Sequence, residues 1–259
     1  MDKKQALLQI YLEHPCRTLP NAFWKTAKGL DAYKLDITRD EKSTLTSLII
    51  RDGSRLLAYW CKDPQDSPLA NQDYEAIEFA LVHENNLAVF EKDAFPQRQA
   101  YFRLIHKEAP ADFTPPPGFA FENVRPEDEV SEVVQLIQRC YHNIHITPDV
   151  VRGWLDHPVY EPDLWVWMID SRNGKRVGLG IAEVDLKVPE ASLEWVQVLP
   201  GYQRKGLGSA LVRELLRRVG SEVSFTTVSG EVDNWNRPEK LYRHCGFTGS
   251  DTWWLLQVV

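Results

Sequence analysis

Residues 198–209, Val198-Leu199-Pro200-Gly201-Tyr202-Gln203-Arg204-Lys205-Gly206-Leu207-Gly208-Ser209, restrict what this chain can fold into more than any other stretch. They begin in an apolar, β-like run and lead into an amphipathic helix, with a basic, glycine-containing turn between. In that order the first N–H groups of the helix lack intrahelical partners, and the helix dipole favours an anion beside them. Gly206 and Gly208 put no Cβ between the backbone and such an anion, and Arg204 and Lys205 add positive charge at the mouth. The segment reads as a cradle for phosphate.

Two other glycine loops do not fit. A dinucleotide-binding loop needs a third glycine where Leu211 stands, and a Walker loop needs Gly-Lys followed by Ser or Thr. The chain has 259 residues, enough for one large or two ordinary domains, and 43% of them are hydrophobic, enough to bury a core. No apolar run reaches the roughly 18 residues of a membrane span, and Met1-Asp2-Lys3-Lys4-Gln5 lacks the apolar core of a signal peptide. A cytoplasmic protein without a membrane partner is expected. The net charge of −7 argues against a nucleic-acid partner, whose phosphates demand a basic surface. Cys16, Cys61, Cys140 and Cys245 form no CxxC pair and read as free thiols. His142 and His145 lack an evident third ligand, so no metal is expected.

In chain order, residues 3–13 read as a helix through Leu7, Leu8, Ile10 and Tyr11, broken at His14-Pro15, with a second short helix over 20–28. Residues 33–37 alternate like a strand, and runs 44–50 and 55–60 flank Asp52-Gly53, a hairpin signal. Ile77, Ala80 and Leu81 give 73–83 a helical spacing, while 88–90 and 100–106 are short strand candidates. Pro110, Pro115, Pro116 and Pro117 mark 110–118 as a linker between domains 1–109 and 119–259. The second domain runs strand 119–124, helix 127–141, and a helix begun by Thr147-Pro148. Strands 164–169, 176–186 and 191–199 follow. Helix 206–219, strand 223–228, short helix 237–244 and a closing strand 247–259 complete it.

Val198-x-Pro200-x-x-Gln203-x-x-Gly206-x-Gly208, followed by Leu241-Tyr242-x-x-x-Gly246-Phe247, resembles the GNAT superfamily of acyl-CoA-dependent N-acyltransferases over about residues 119–259. The resemblance implies an α+β fold with a central mixed, mostly antiparallel, twisted sheet flanked by helices. A second α+β domain precedes it, either a degenerate copy of the same fold or an unrelated one. It also implies acetyl-CoA as co-substrate. The coenzyme arm would run along the backbone of Val196, Gln197 and Val198. Its diphosphate would sit on Gln203, Arg204, Lys205, Gly206, Leu207, Gly208 and Ser209. Where the family commonly has an asparagine this chain has Trp235. A one-residue shortening would give that role to Asn236; otherwise Asn236 is a plain helix cap.

The implied reaction moves an acetyl group from acetyl-CoA to a primary amine of a small molecule or peptide by direct attack. An alkylammonium is mostly protonated at neutral pH, so a base must take its proton. Glu194 is the candidate: it lies on the strand of Val198 and, by the period of two, on the same face. Glu183 and Asp185 are rivals. By resemblance Tyr242 faces the coenzyme sulfur, and the Val198 N–H donates to the thioester oxygen. The alternative is a non-catalytic acyl-CoA-binding or regulatory module, since binding needs only the loop. Oligomeric state stays open between monomer and homodimer.

Overall fold

The computed structural model describes residues 3–42, 44–63, 76–90, 92–109, 113–141 and 144–258. The first half contains α1 (Lys3–Glu13), α2 (Pro15–Thr18), α3 (Phe23–Ala27), β1 (Lys34–Arg39), β2 (Leu45–Asp52), β3 (Arg55–Cys61), β4 (Phe79–His83) and β5 (Gln97–His106). The second contains β6 (Phe119–Asn123), α4 (Pro126–Cys140), α5 (Pro148–Leu155), β7 (Trp165–Asp170), β8 (Lys175–Asp185) and β9 (Glu190–Val198). It continues through α6 (Leu207–Val219), β10 (Phe225–Glu231), α7 (Pro238–His244) and β11 (Thr248–Gln257). The class is mixed α+β with mostly antiparallel strand pairing.

Two expectations are corrected. Within 73–83, residues 73–75 lie outside the described residues, and Phe79–His83 is a strand, not a helix. It pairs with β3 along one edge and β11 along the other, so it lies inside the sheet, and Ala80 and Val82 are fully buried. Periodicity alone does not separate so short an apolar run from a helix. Residues 88–90 belong mostly to a 3-10 helix, Glu84–Val89, nucleated where the His83 ring accepts from the Asn85 N–H.

Contacts gather the chain into two compact units that interleave in sequence. One contains Met1–Ile105, Ser229–Glu239 and Thr248–Val259; the other contains His106–Val228 and Lys240–Phe247. The sequence suggests a cut at 110–118, of which 110–112 lie outside the described residues. The grouping departs from a cut in chain order because β11 takes its partners from the first half. It pairs antiparallel with both β4 and β5, setting Trp254 opposite Val82 and Ala100. That position buries Trp253 and Leu256, and the Trp253 indole N–H donates to the Cys16 carbonyl at 2.7 Å.

In the first unit β1, β2 and β3 form an antiparallel meander, and β3 then pairs parallel with β4. Arg103, almost fully buried on β5, ties the helices down by donating to the Tyr11 hydroxyl, the Asn21 carbonyl and the Ser229 hydroxyl.

In the second unit β6 to β9 are antiparallel, and β9 then pairs parallel with β10. α4 and α5 cover one face, where Val133, Ile137 and Val151 pack with Trp165, Trp167, Leu179 and Leu199. α6 covers the other, where Leu207, Ala210 and Leu211 pack with Met168, Val177 and Val198. α5 starts as the sequence suggests, with the Thr147 hydroxyl accepting from the Val150 N–H.

The Leu241-Tyr242-x-x-x-Gly246-Phe247 signature has a physical reading at the end of α7. The Phe247 N–H donates to the Tyr242 carbonyl and the Gly246 N–H to the Arg243 carbonyl, while the Tyr242 and Phe247 rings meet at 5.6 Å. This is a Schellman cap with its customary apolar contact, and it needs a left-handed residue, here Gly246 at φ 92°. The cap fixes the direction of the Tyr242 backbone. Gly246→Ala introduces a Cβ at a left-handed position and about 3.1 Å from the His106 ring. The expected loss is about 1–2 kcal/mol, read as a lower urea midpoint at unchanged m-value.

Candidate functional site

The loop between β9 and α6 is held in place by its own side chains. Pro200–Tyr202 forms one 3-10 turn. The Tyr202 hydroxyl donates to Asp170 at 3.2 Å, and the Gln203 side-chain amide donates to the Val198 carbonyl at 3.0 Å. Asp170 is fully buried, and bonds from the Arg172 guanidinium and backbone, joined by Tyr202, hold its carboxyl well below the usual range. The chain then turns through two left-handed residues, Arg204 at φ 59° and Gly206 at φ 76°. A Cβ on Gly206 would meet nothing within 4 Å, so glycine serves the backbone angle there; one on Gly208 would meet Leu241 at 3.3 Å, so glycine also lets α7 approach α6. Among the described residues no side chain caps α6, and no acidic residue stands in its first turn. At this end the Ala210 N–H donates to the Gly206 carbonyl. The N–H groups of Leu207, Gly208 and Ser209 thus point out of the helix end beside the exposed Arg204 and Lys205.

β9 carries an irregularity that the sequence does not announce. Its register with β8 runs Glu183↔Ser192 and Ala182↔Leu193, then resumes at Ile181↔Trp195, leaving Glu194 as an extra residue. A bulge interrupts the alternation of faces. The expectation that Glu194 shares a face with Val198 is therefore corrected. Val198 packs under α6. Glu194 accepts a 2.8 Å bond from the Ser192 hydroxyl. Ser192 stands opposite Glu183, whose carboxylate is bonded to the His157 ring on the α4–α5 face. Glu194 lies on that same face, half-buried next to Trp195.

The bulge coincides with the end of pairing between β9 and β10, whose last registered pair is Val228↔Leu193. Residues 194–198 run on past it. The Leu199 N–H donates to the Val177 carbonyl of β8. Neighbouring N–H groups of a strand alternate sides, so those of Val198 and Val196 point away from β8, toward the side where pairing with β10 has ended. The Val198 carbonyl on that side is taken by Gln203, while its N–H stands beside it.

Tyr242 is buried, and its phenol is pushed well above the ordinary value by burial first, then by the charges of Tyr141, Cys245 and Glu194. The fold thus brings Tyr242 into the electrostatic reach of Glu194. Tyr141, which packs edge-on against Trp195, is itself pushed up to about 12 by burial. Both phenols stay protonated throughout the neutral range. Trp195 also stacks on Trp154 at 5.3 Å. Neither Tyr141 nor this tryptophan pair stands out in the sequence, since both sit in segments that read as ordinary amphipathic structure; the Ser192-x-Glu194 spacing is a signal that could have been used. Of the rival carboxylates, Glu183 is bonded to His157, and Asp185 accepts from the Lys187 N–H in a turn. Cys245 is buried, with its thiol directed to the Ser209 carbonyl. Asn236 groups with the first unit, and its N–H donates to the Asn234 side chain. Among the described residues no three metal-ligating side chains cluster; His142 lies outside them.

Comparison with known proteins follows the same lines. The model of the acetyltransferase (GNAT) family matches residues 130–247. A curated relative, the uncharacterized N-acetyltransferase CgeE of Bacillus subtilis (strain 168), is 30% identical over 97 residues, which span 34% of this chain and only 38% of that protein's length. A GCN5-related N-acetyltransferase from Sphaerobacter thermophilus has a similar fold (TM-score 0.69, 12% identity, 98% of this chain and 92% of that one). So does a tandem GNAT protein from the clavulanic acid biosynthesis pathway (TM-score 0.52, 13% identity, 98% and 96%).

Asp170 is the anchor whose removal tests the loop. Its carboxyl is held low in the fold, so its stabilisation is present above the unfolded value of about 3.9 and is lost as pH falls below it. Asp170→Asn should melt below the wild type at pH 7. The gap should narrow as pH drops from about 4 toward 2, measured as Tm against pH.

Proposed function

Residues 130–247 form a GNAT acetyltransferase domain, and from that premise we propose that the protein transfers an acetyl group from acetyl-CoA to a primary amine by direct attack. One observation carries this reading: the uncapped N–H groups of Leu207, Gly208 and Ser209 stand at the end of the same strand whose Val198 N–H points away from β8. The donor set fits a diphosphate, being backbone N–H groups and two exposed cations without a carboxylate in the first helical turn. Residues 203–209 hold the diphosphate, and the β9 backbone at Val196, Gln197 and Val198 accompanies the coenzyme arm.

Acetyl-CoA supplies an activated thioester and a thiolate leaving group. The protein supplies the rest. Glu194 accepts the proton of the attacking amine, directly or through water, with Ser192 fixing its carboxylate by a hydrogen bond. The Val198 N–H donates to the acyl oxygen as negative charge develops there. Tyr242, kept protonated by burial, gives its proton to the departing sulfur. Glu194's place on the α4–α5 face, opposite α6, lets amine and coenzyme approach from different sides.

The first unit is assigned on the same footing as a diverged second copy of the fold. It repeats an antiparallel meander followed by one parallel pair, β3 with β4, as β9 pairs with β10. Residues 62–78, which connect its parallel strands, contain no glycine, whereas residues 199–224 contain Gly201, Gly206, Gly208 and Gly220. It therefore has no counterpart of the anion loop. The likeness to a tandem GNAT protein supports this reading.

Glu194→Gln should lower kcat by about 10²- to 10³-fold and Tyr242→Phe by about 10- to 10²-fold, with the acetyl-CoA Kd by calorimetry within threefold of wild type. Unchanged turnover in both variants would remove the assigned roles. A wild type that binds acetyl-CoA yet transfers nothing across amine and peptide panels would make the protein a binding module instead.

A further inference from the structure

Gln197 presents a problem that the coenzyme arm does not solve. It is 6% exposed, and neither its side-chain oxygen nor its side-chain nitrogen has a hydrogen-bond partner among the described residues. A buried carboxamide that makes no bond is destabilising, and an apolar residue of the same shape would avoid that loss. Its place on the strand says which ligand it could meet. Val198 faces α6, so Gln197 faces the opposite side, beside Trp195 and Leu199 and across from Leu179, on the face that carries Ser192 and Glu194. The anion-binding end of α6 and the outward Val198 N–H belong to the coenzyme; the Gln197 side chain stands perpendicular to that strand edge. Trp195, its neighbour on that face, is only half-buried, so the orphaned amide lies beside a partly exposed indole.

We infer that the Gln197 side chain is a specificity group for the acceptor, and that it reads a carboxamide or peptide group close to the attacking amine. The inference rests on the acetyl-transfer reading. A carboxamide sets an N–H and a C=O side by side in one plane, so it pairs with another primary amide through two complementary bonds and with a trans peptide group through one. Gln197 immediately precedes Val198, which places the recognised amide within a few bonds of the nitrogen that attacks. The acceptor class is then an amino amide, including the N-terminus of a peptide. The half-buried Trp195 and Tyr141 favour an apolar or aromatic side chain on it.

L-phenylalaninamide and 2-phenylethylamine differ by this amide alone and make the matched pair. Intrinsic amine reactivity cancels when wild type is compared with Gln197→Leu and Gln197→Met. The ratio of kcat/KM for the amide over the simple amine should fall about 10- to 100-fold in both variants. The acetyl-CoA Kd should stay within threefold, and the Tm of the protein alone should hold or rise by about 2–4 °C. An unchanged ratio would overturn the inference. So would a weakened acetyl-CoA Kd, which would give the amide to the donor, or a Tm that drops in both variants, which would mean that the protein itself satisfies it. Calorimetry of L-phenylalaninamide into the protein saturated with coenzyme A separates the two readings. Weaker binding to Gln197→Leu supports the role of Gln197 even without turnover, and equal binding, or none to wild type, overturns it.

Discussion

The second unit depends on one extra residue in β9. Up to Leu193 that strand is shared between β8 on one side and β10 on the other. The β8 register steps over Glu194, and the registered pairing with β10 ends at the same point. A bulge adds twist and bends its strand, so the two parallel strands part where the chain still has five strand residues, 194–198, to run. Two consequences follow from one insertion. The Val198 N–H is directed away from β8, and a carboxylate is moved to the face opposite α6. A regular strand would have put Glu194 and Val198 on one face and kept their backbone within a ladder.

The donor side is preorganised by bonds that the ligand need not make. Tyr202 is pinned to a buried Asp170, and Gln203 to the Val198 carbonyl, before the chain reaches Arg204 and Gly206. The left-handed residues then aim the helix so that its first N–H groups are left for an anion. Gly208 serves two purposes, since its missing Cβ also admits Leu241 of α7. Through that contact the loop is packed against the helix that carries Tyr242, and the Gly246 cap sets where that helix ends. The two sequence signatures, distant in the chain, are thus parts of one packed piece.

Much of this was legible, and the failures have physical causes. The phosphate-type loop, α6 and the Asp52-Gly53 hairpin are local: turn chemistry and helix periodicity reach only a few residues, and the sequence contains all of them. β4 does not stand out because five residues of apolar run are too few for periodicity to separate strand from helix. The face of Glu194 was misread because a bulge leaves no mark in composition or period. The domain division differs because β11 pairs with strands far away in sequence, and no local pattern encodes such a partner. The orphaned amide of Gln197 and the tryptophan pair Trp154 and Trp195 are properties of packing. Both become visible only when the strand's neighbours are known.

Amide hydrogen exchange, with and without acetyl-CoA, tests most directly whether the parted strand and the open helix end act as one donor site. Peptides covering residues 194–198 and 203–209 should exchange more slowly once the ligand is present, because the Val198 N–H and the first N–H groups of α6 gain partners. Residues 79–83 and 97–106 of the first unit should exchange as before. Protection confined to those strands of the first unit, with residues 194–198 and 203–209 unchanged, would contradict it.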